Sequence, residues 1–260
     1  GIEEAFNRHS VICFRDQDLT EERFLAFMAR LDRIEKVPIK DFAHPDYPEI
    51  FFVATIRDGD RPSGHDDAGS VWHTDMSYSE QPPRISALHA KEVSMENGVA
   101  LGDTHFASAA AAYDALSDAD KSHIDDLVAF HDLGGRRAGK KTRPATETKA
   151  GSELDRRRKM TPNVPHPVVR THPLTGRKCL YVREGECVSI DGMDDADAEA
   201  LIKQLSDLCV EERFIYRHKW RVGDVLMWDN CAVQHIALRD YEWPQRRMMH
   251  RTTVGGAVPV

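Results

Sequence analysis

Residues 214–228 read Phe214-Ile215-Tyr216-Arg217-His218-Lys219-Trp220-Arg221-Val222-Gly223-Asp224-Val225-Leu226-Met227-Trp228. From Phe214 to Trp220, ring-bearing side chains alternate with aliphatic or basic ones, and this period of two indicates a β-strand. Val222-Gly223-Asp224 has the composition of a hairpin turn, and the apolar run over residues 225–228 predicts a second strand. The stretch therefore predicts short consecutive strands rather than helix.

Similar short strands are expected along the whole chain, over residues 11–14, 50–55, 71–75, 85–90, 168–171, 180–182 and 248–254, with another hairpin turn at residues 172–176. Three helices are expected, over residues 19–31 with Thr20 as N-cap, over residues 107–128 with a break near Ser117, and over residues 195–210. Many strands with few helices favour a mainly β fold, a sandwich or barrel-like core flanked by α-helices. The length suits one domain over residues 1–260.

The composition argues against several classes of protein. The net charge of −8 argues against a general nucleic-acid binder, and no apolar run approaches the roughly 20 residues that span a bilayer. The five cysteines are odd in number and form no Cys-x-x-Cys pair, which argues against a disulfide framework and favours a cytoplasmic protein with reduced thiols. The chain begins without Met and without the basic flank of a secretory signal, so we expect an incomplete N-terminus.

Residues 134–159 differ in character from the rest, because ten basic residues stand there against three acidic ones, a local balance of +7. The segment, extended to about residue 163, predicts a long insertion rather than a core element. It is either a solvated insertion or a cationic lid that closes over an anionic substrate.

A possible metal site begins with Trp72-His73-Thr74-Asp75. Residues two apart on a strand point to one face, so His73 and Asp75 can offer an imidazole and a carboxylate to one ion. A histidine from a later strand would complete a two-His, one-carboxylate face, which leaves three positions open for a bidentate co-substrate and O2 on Fe(II). The His-x-Asp pair alone is a weak signal.

The C-terminal part of the sequence strengthens the prediction of a metal site. Residues 228–235 end in His235, and Arg247, Met249 and Arg251 follow on one face of an expected strand. Two arginines near a metal are costly unless they pair with anions, and the planar guanidinium suits a dicarboxylate co-substrate.

In order and spacing, the sequence resembles the TauD/TfdA family, the taurine and 2,4-dichlorophenoxyacetate dioxygenases. The resemblance rests on residues 14–17, 44–48, 72–75, 102–104, 166–173 and 228–251. It implies a double-stranded β-helix, or jelly-roll, core and Fe(II) on His73, Asp75 and His235. It further implies that Thr104 and Arg247 hold the distal carboxylate of 2-oxoglutarate. His44, Tyr47 and Arg251 would face the primary substrate, with the arginine on its anionic group.

The chain departs from the taurine enzymes that it resembles beside the implied substrate. Glu186 stands where those enzymes carry an aromatic residue, and Gly69 stands where they carry Asn. Glu186 would bind a cationic or hydroxyl group of the substrate, or else lie exposed at a loop tip. His44 and Tyr47 would bind substrate or only shape a turn. We therefore expect a substrate other than taurine.

The hypothesis is an Fe(II)- and 2-oxoglutarate-dependent dioxygenase that uses O2 to hydroxylate, and in some cases cleave, a small anionic molecule such as a sulfonate, sulfate ester or aryloxyalkanoate, with release of succinate and CO2. One alternative is the same chemistry on an amino-acid-like substrate in natural-product biosynthesis. Another is a non-catalytic binding protein on the same fold. We further expect a homo-oligomer.

Overall fold

The computed structural model describes residues 1–36, 42–58, 61–62, 64, 69–133 and 162–260. The expected basic insertion lies outside these described residues, apart from residues 162 and 163. The helices are α1 Ile2–His9, α2 Glu21–Met28, α3 Ala109–Asp114, α4 Asp118–Ile124 and α5 Asp195–Cys209. The strands are β1 Val11–Phe14, β2 Phe51–Ala54, β3 Arg57–Asp58, β4 Arg61–Pro62, β5 Ile85–Glu92, β6 Met95–Glu96, β7 Val99–Ala100, β8 Thr104–Ser108, β9 Val128–His131, β10 Val164–Pro167, β11 Val169–Thr171, β12 Lys178–Leu180, β13 Cys187–Ile190, β14 Ile215–His218, β15 Val225–Asp229, β16 Val233–Ala237 and β17 Met248–Val254.

Two antiparallel sheets form the core. One has the strand order β1-β15-β5-β17-β2 and the other the order β14-β8-β16. Their facing surfaces share one apolar cluster, to which the larger sheet contributes Trp228 and Met249 and the smaller sheet contributes Phe106 and Val233. This arrangement agrees with the expected mainly β, jelly-roll fold.

The outer face of the larger sheet is covered by helices. Phe6 of α1 and Phe24 and Met28 of α2 pack with outward residues of β5 and β15 in a separate apolar cluster. Each strand therefore presents alternate residues to two different environments, the core between the sheets and the layer beneath the helices. A third cluster joins α3 and α5 to β9, β12 and β13.

The expected helices are present, with shorter bounds. Thr20 caps α2 as expected, because its side chain accepts a hydrogen bond from the Arg23 amide. Ser117 caps α4 and marks the expected break, but Ala107 belongs to β8 and Val128 begins β9. No helix in the described part of the chain has the length and apolar character needed to cross a membrane.

Two expectations about local structure were wrong. Residues 71–75 form no strand; His73 makes only an isolated bridge to His235, and the backbone turns through positive φ at Gly69 and Met76. The turn at residues 222–224 is also not a hairpin, because it joins β14 of the smaller sheet to β15 of the larger one. The hairpin expected at residues 172–176 is confirmed, since it joins the paired strands β11 and β12.

Candidate active site

Three side chains from two distant segments of the sequence meet between the two sheets. His73 Nε2 lies 3.8 Å from Asp75 Oδ1, and His235 Nε2 lies 3.9 Å from the same oxygen. Two donors that each lie about 2.1 Å from one ion can be separated by up to roughly 4.2 Å. The three atoms therefore have the spacing of ligands to one metal ion, and all three residues are largely shielded from solvent.

Backbone hydrogen bonds hold the first ligand segment against β16. The His73 amide donates to the His235 carbonyl at 3.0 Å, and the His235 amide donates to the His73 carbonyl at 2.9 Å. This reciprocal pair brings the two imidazole rings to a centroid separation of 4.1 Å. The irregular segment thus reaches the geometry that we had expected from a strand.

The protonation states favour metal binding. His73 Nδ1 lies 2.8 Å from the Val71 carbonyl, which can accept only from a protonated Nδ1, so in the neutral imidazole Nε2 is the nitrogen that can bind a metal. Burial, with His73 nearby, holds the pKa of His235 well below its usual range. Burial alone would raise the pKa of Asp75, but the Arg251 guanidinium and the Ser86 hydrogen bond oppose this effect, and that pKa lies below its usual value. Two imidazoles and one carboxylate are the donor set of a non-haem iron site.

A buried cation marks the expected co-substrate position. Arg247 is 1% exposed, and its guanidinium carbon lies 5.9 Å from the Trp220 ring centroid and 5.3 Å from that of Tyr241. Its Nη2 reaches the Gly102 carbonyl at 3.4 Å, while its Nε has no hydrogen-bond partner among the described residues. Burial lowers the pKa of Arg247. A buried, incompletely hydrogen-bonded guanidinium fits the carboxylate of a co-substrate such as 2-oxoglutarate.

Thr104 lies on the same inner face as the metal ligands. In the antiparallel register of β8 and β16, Thr104 is opposite Ala237 and Phe106 is opposite His235. Trp220 Nε1 donates to Thr104 Oγ1 at 3.0 Å. Because the indole can only donate, the Thr104 hydroxyl proton remains available to a bound anion.

Arg251 lies beside the three ligands. Its Nη1 is 3.1 Å from Asp75 Oδ1, and its guanidinium carbon lies 4.8 Å from the Phe51 ring centroid. It shares the inner face of β17 with Met249, as the period of two predicted. Its side chain is 21% exposed, more than that of any of the three ligands, so it lies on the open side of the centre.

Glu186 is buried, at 8% exposure, so the alternative of an exposed loop tip was wrong. Its Oε2 lies 3.4 Å from the amide of Thr74, the residue between the first two ligands. Arg183 Nη2 donates to the hydroxyl of the same threonine at 2.7 Å. Glu186 and Arg183 both contact Thr74, so two charged side chains lie next to the metal ligands.

The structure does not bring His44 and Tyr47 to this centre. His44 packs on Phe52 and His250, with ring centroids 5.3 and 5.9 Å apart, and the Tyr47 hydroxyl donates to Glu22 of α2. Residues 250 and 251 are neighbours on β17, so they point to opposite faces of the sheet. His44 and Tyr47 thus lie on the helix-covered face, away from Arg251, and this placement does not support a substrate role.

Two glycines leave room for functional side chains. A Cβ at Gly69, where φ is +80°, would lie 3.0 Å from Cε1 of His73. A Cβ at Gly102, where φ is +78°, would lie 2.6 Å from the Tyr241 ring and 3.1 Å from Nε of Arg247. Neither position accepts a side chain without displacing a residue of the site.

The sequence analysis missed Ser86 and Asn230. The Ser86 hydroxyl lies 2.5 Å from Asp75 Oδ2, and Asn230 Nδ2 lies 2.9 Å from the Ser86 oxygen. The available signal was weak: Asn230 stands five residues before His235, and Ser86 is a polar residue inside an apolar strand.

Comparison with known proteins agrees with this geometry. A family model described as "Taurine catabolism dioxygenase TauD, TfdA family" matches residues 1–253. The chain is 33% identical over 269 residues to an alpha-ketoglutarate-dependent sulfate ester dioxygenase of Pseudomonas putida, covering 100% of this chain and 81% of the relative. It is 31% identical over 263 residues to an alpha-ketoglutarate-dependent 2,4-dichlorophenoxyacetate dioxygenase of Cupriavidus pinatubonensis, covering 97% and 86%.

Among solved structures, that of AAD-2 in complex with Mn(II) and N-oxalylglycine superimposes with a TM-score of 0.82 at 31% identity. The match covers 99% of this chain and 89% of that one.

Proposed function

Because this chain belongs to the TauD/TfdA family of alpha-ketoglutarate-dependent dioxygenases, we propose that it oxidises a small anionic organic molecule with O2 and 2-oxoglutarate. The observation that carries the substrate class is Arg251, a partly exposed guanidinium 3.1 Å from Asp75. A cation at this place attracts an anionic group and holds the rest of the molecule beside the metal ligands.

In this proposal, His73, Asp75 and His235 hold Fe(II). Bound there with 2-oxoglutarate, iron would couple the decarboxylation of the keto acid, which yields succinate and CO2, to the oxidation of a substrate C–H bond. The protein contributes a largely buried site between two sheets, in which hydrogen bonds to the Val71 carbonyl and from Ser86 already orient His73 and Asp75.

Arg247 and Thr104 would bind the distal carboxylate of 2-oxoglutarate. The guanidinium supplies charge, and the threonine supplies a hydroxyl proton directed by the indole of Trp220. Rings on either side of Arg247 exclude water and restrict its rotation, so little conformational entropy is lost when the carboxylate binds.

Sulfate esters and aryloxyalkanoates are the substrate classes that the relatives favour, since one similar protein is a sulfate ester dioxygenase and another acts on 2,4-dichlorophenoxyacetate. Both classes combine an anionic group with an apolar part. Arg251 fits the anionic group, and Phe51, which packs under Arg251, fits the apolar part.

The test is succinate release by the purified protein with Fe(II), measured across sulfate esters, aryloxyalkanoates, sulfonates, amino acids and simple amines. We expect turnover with at least one class of acids, and a rise of at least 10-fold in its KM in Arg251→Gln. Arg246→Gln is the matched control, because Arg246 is exposed and pairs with Glu92. Turnover with amines alone would contradict the anionic-substrate proposal.

A second candidate class is an amino-acid-like substrate, which the buried Glu186 beside Thr74 favours because a carboxylate there can face an ammonium group. The same panel distinguishes the two, since this candidate requires amino acids to outperform acids that lack an amine. A non-catalytic role would give no succinate with any compound and no metal binding. The cytoplasmic location and the homo-oligomer remain predictions.

A further inference from the structure

The second oxygen of Asp75 is engaged by a chain of buried hydrogen bonds. Ser86 and Asn230 are 0% and 1% exposed. Ser86 is the direct partner of Trp228 in the pairing of β5 with β15, and it lies between Trp228 and Thr253 on the inner face of the larger sheet. A hydroxyl buried in such a strand is costly unless it is hydrogen bonded, so its partners are informative.

Trp228 determines which group donates and which accepts in each of these hydrogen bonds. The indole Nε1 lies 3.0 Å from Asn230 Oδ1, and an indole can only donate, so the amide oxygen must face it. The Asn230 NH2 group therefore faces Ser86 Oγ at 2.9 Å and donates to it. The Ser86 proton is then directed to Asp75 Oδ2, 2.5 Å away. The opposite orientation of the amide would bring two donors together at the indole.

The two oxygens of Asp75 consequently have different roles. Oδ2 accepts from Ser86, while Oδ1 accepts from Arg251 Nη1 at 3.1 Å and faces the imidazole nitrogens of His73 and His235 at 3.8 and 3.9 Å. The Asp75 amide also lies 3.4 Å from Asn230 Oδ1, so the same residue steadies both the side chain and the backbone of the ligand.

We propose that Ser86 and Asn230 are positioning residues that hold Asp75 as a one-oxygen ligand. A carboxylate that is free to offer both oxygens would occupy one of the three coordination positions needed by 2-oxoglutarate and O2. This inference rests on the proposed metal site, and it assigns to Ser86 a role in keeping that site open as well as in binding the metal.

The experiment is a titration of the folded protein with Co(II), which avoids reaction with O2, followed by addition of 2-oxoglutarate. In Ser86→Ala we expect a 10- to 100-fold loss of Co(II) affinity, the usual effect of removing a residue that orients a metal ligand. We also expect a smaller response of the Co(II) absorption spectrum to 2-oxoglutarate. Ser94→Ala is the control, because Ser94 is also buried and its hydroxyl donates to the Arg246 carbonyl, away from Asp75.

Asn230→Ala provides a second, independent variant. Because Asn230 acts on the Asp75 side chain through the Ser86 hydroxyl, the double variant should lose less Co(II) affinity than the sum of the two single losses, measured in free energy. Additive losses, or a folded Ser86→Ala protein that binds Co(II) as the parent does, would overturn the inference. Failure of the parent protein to bind Co(II) at all would instead contradict the proposed metal site.

Discussion

At the scale of single residues, partners within the chain orient the side chains of the centre towards the position of an external ligand. The Val71 carbonyl orients His73 through Nδ1, while Ser86 and Arg251 orient Asp75 through Oδ2 and Oδ1 respectively. Arg247 is held by aromatic rings and by polar contacts with the Gly102 carbonyl and the Tyr241 side chain, while its Nε has no hydrogen-bond partner among the described residues. The site is therefore organised before its metal and co-substrate bind.

Arg247→Gln should weaken 2-oxoglutarate binding to the Co(II)-loaded protein by about 100-fold or more, since separating a buried ion pair costs roughly 3 kcal/mol or more. Calorimetric titration with 2-oxoglutarate measures this. Binding of Co(II) itself should stay within a few-fold of the parent, because Arg247 touches none of the three metal ligands. Unchanged affinity for 2-oxoglutarate would place the co-substrate elsewhere.

At the scale of elements, the sheet alternation was predictable from the sequence and the metal segment was not. The period of two places Met249 and Arg251 on one face of β17, and Arg247, directly before the strand, also points into the site. Residues 71–75 were expected to be a strand, but they are held by long-range bonds to β16, Arg183 and Glu186, which a local pattern does not encode.

The same limit explains two other results at this scale. His44 and Tyr47 belong to residues 44–48, one of the segments on which the family resemblance rests. Tertiary packing decides which face of β17 this segment covers, and the sequence pattern does not encode it. Ser86 and Asn230 look like ordinary strand and turn residues in the sequence, because their importance comes from side chains far along the chain.

Gly69→Ala should weaken Co(II) binding, because the new Cβ would press on His73 at 3.0 Å and displace its ring. The matched control is Gly98→Ala, in the turn between β6 and β7. Gly98 has the same φ of +80°, but nothing lies within 4 Å of the added Cβ. Both variants carry similar backbone strain, so equal Co(II) affinities in the two would contradict a crowding effect at His73.

At the scale of the whole molecule, helix α2 is joined to the larger sheet partly through polar groups, of which His250 is buried and Glu21 and Lys91 are partly exposed. His250 Nδ1 lies 3.3 Å from Glu21, which also contacts Lys91 at 3.2 Å. Burial, reinforced by Lys91, lowers the pKa of His250 to about 4, although Glu21 opposes the shift. His44 and His89 also face this imidazole and lower its pKa further. His250 is therefore neutral in the folded protein near neutral pH.

This pKa gives the fold a defined acid sensitivity. The unfolded chain protonates His250 near pH 6.5, while the folded protein resists protonation until about pH 4, so stability falls as pH decreases through that window. Between pH 7.5 and pH 5 the imidazole should account for about 2 kcal/mol of lost unfolding free energy. Urea unfolding of His250→Gln should show a correspondingly smaller loss than the parent. Parallel pH profiles for the two proteins would contradict the assignment.

The most direct test of the account is the anaerobic addition of 2-oxoglutarate to the Fe(II)-loaded protein, followed by visible absorption. Chelation of Fe(II) by the keto acid at a site with three open positions should produce a charge-transfer band at one equivalent of iron. The band should be absent in Asp75→Ala and His235→Ala proteins that remain folded. No band in the parent protein, or an undiminished band in those two variants, would contradict an iron centre on His73, Asp75 and His235.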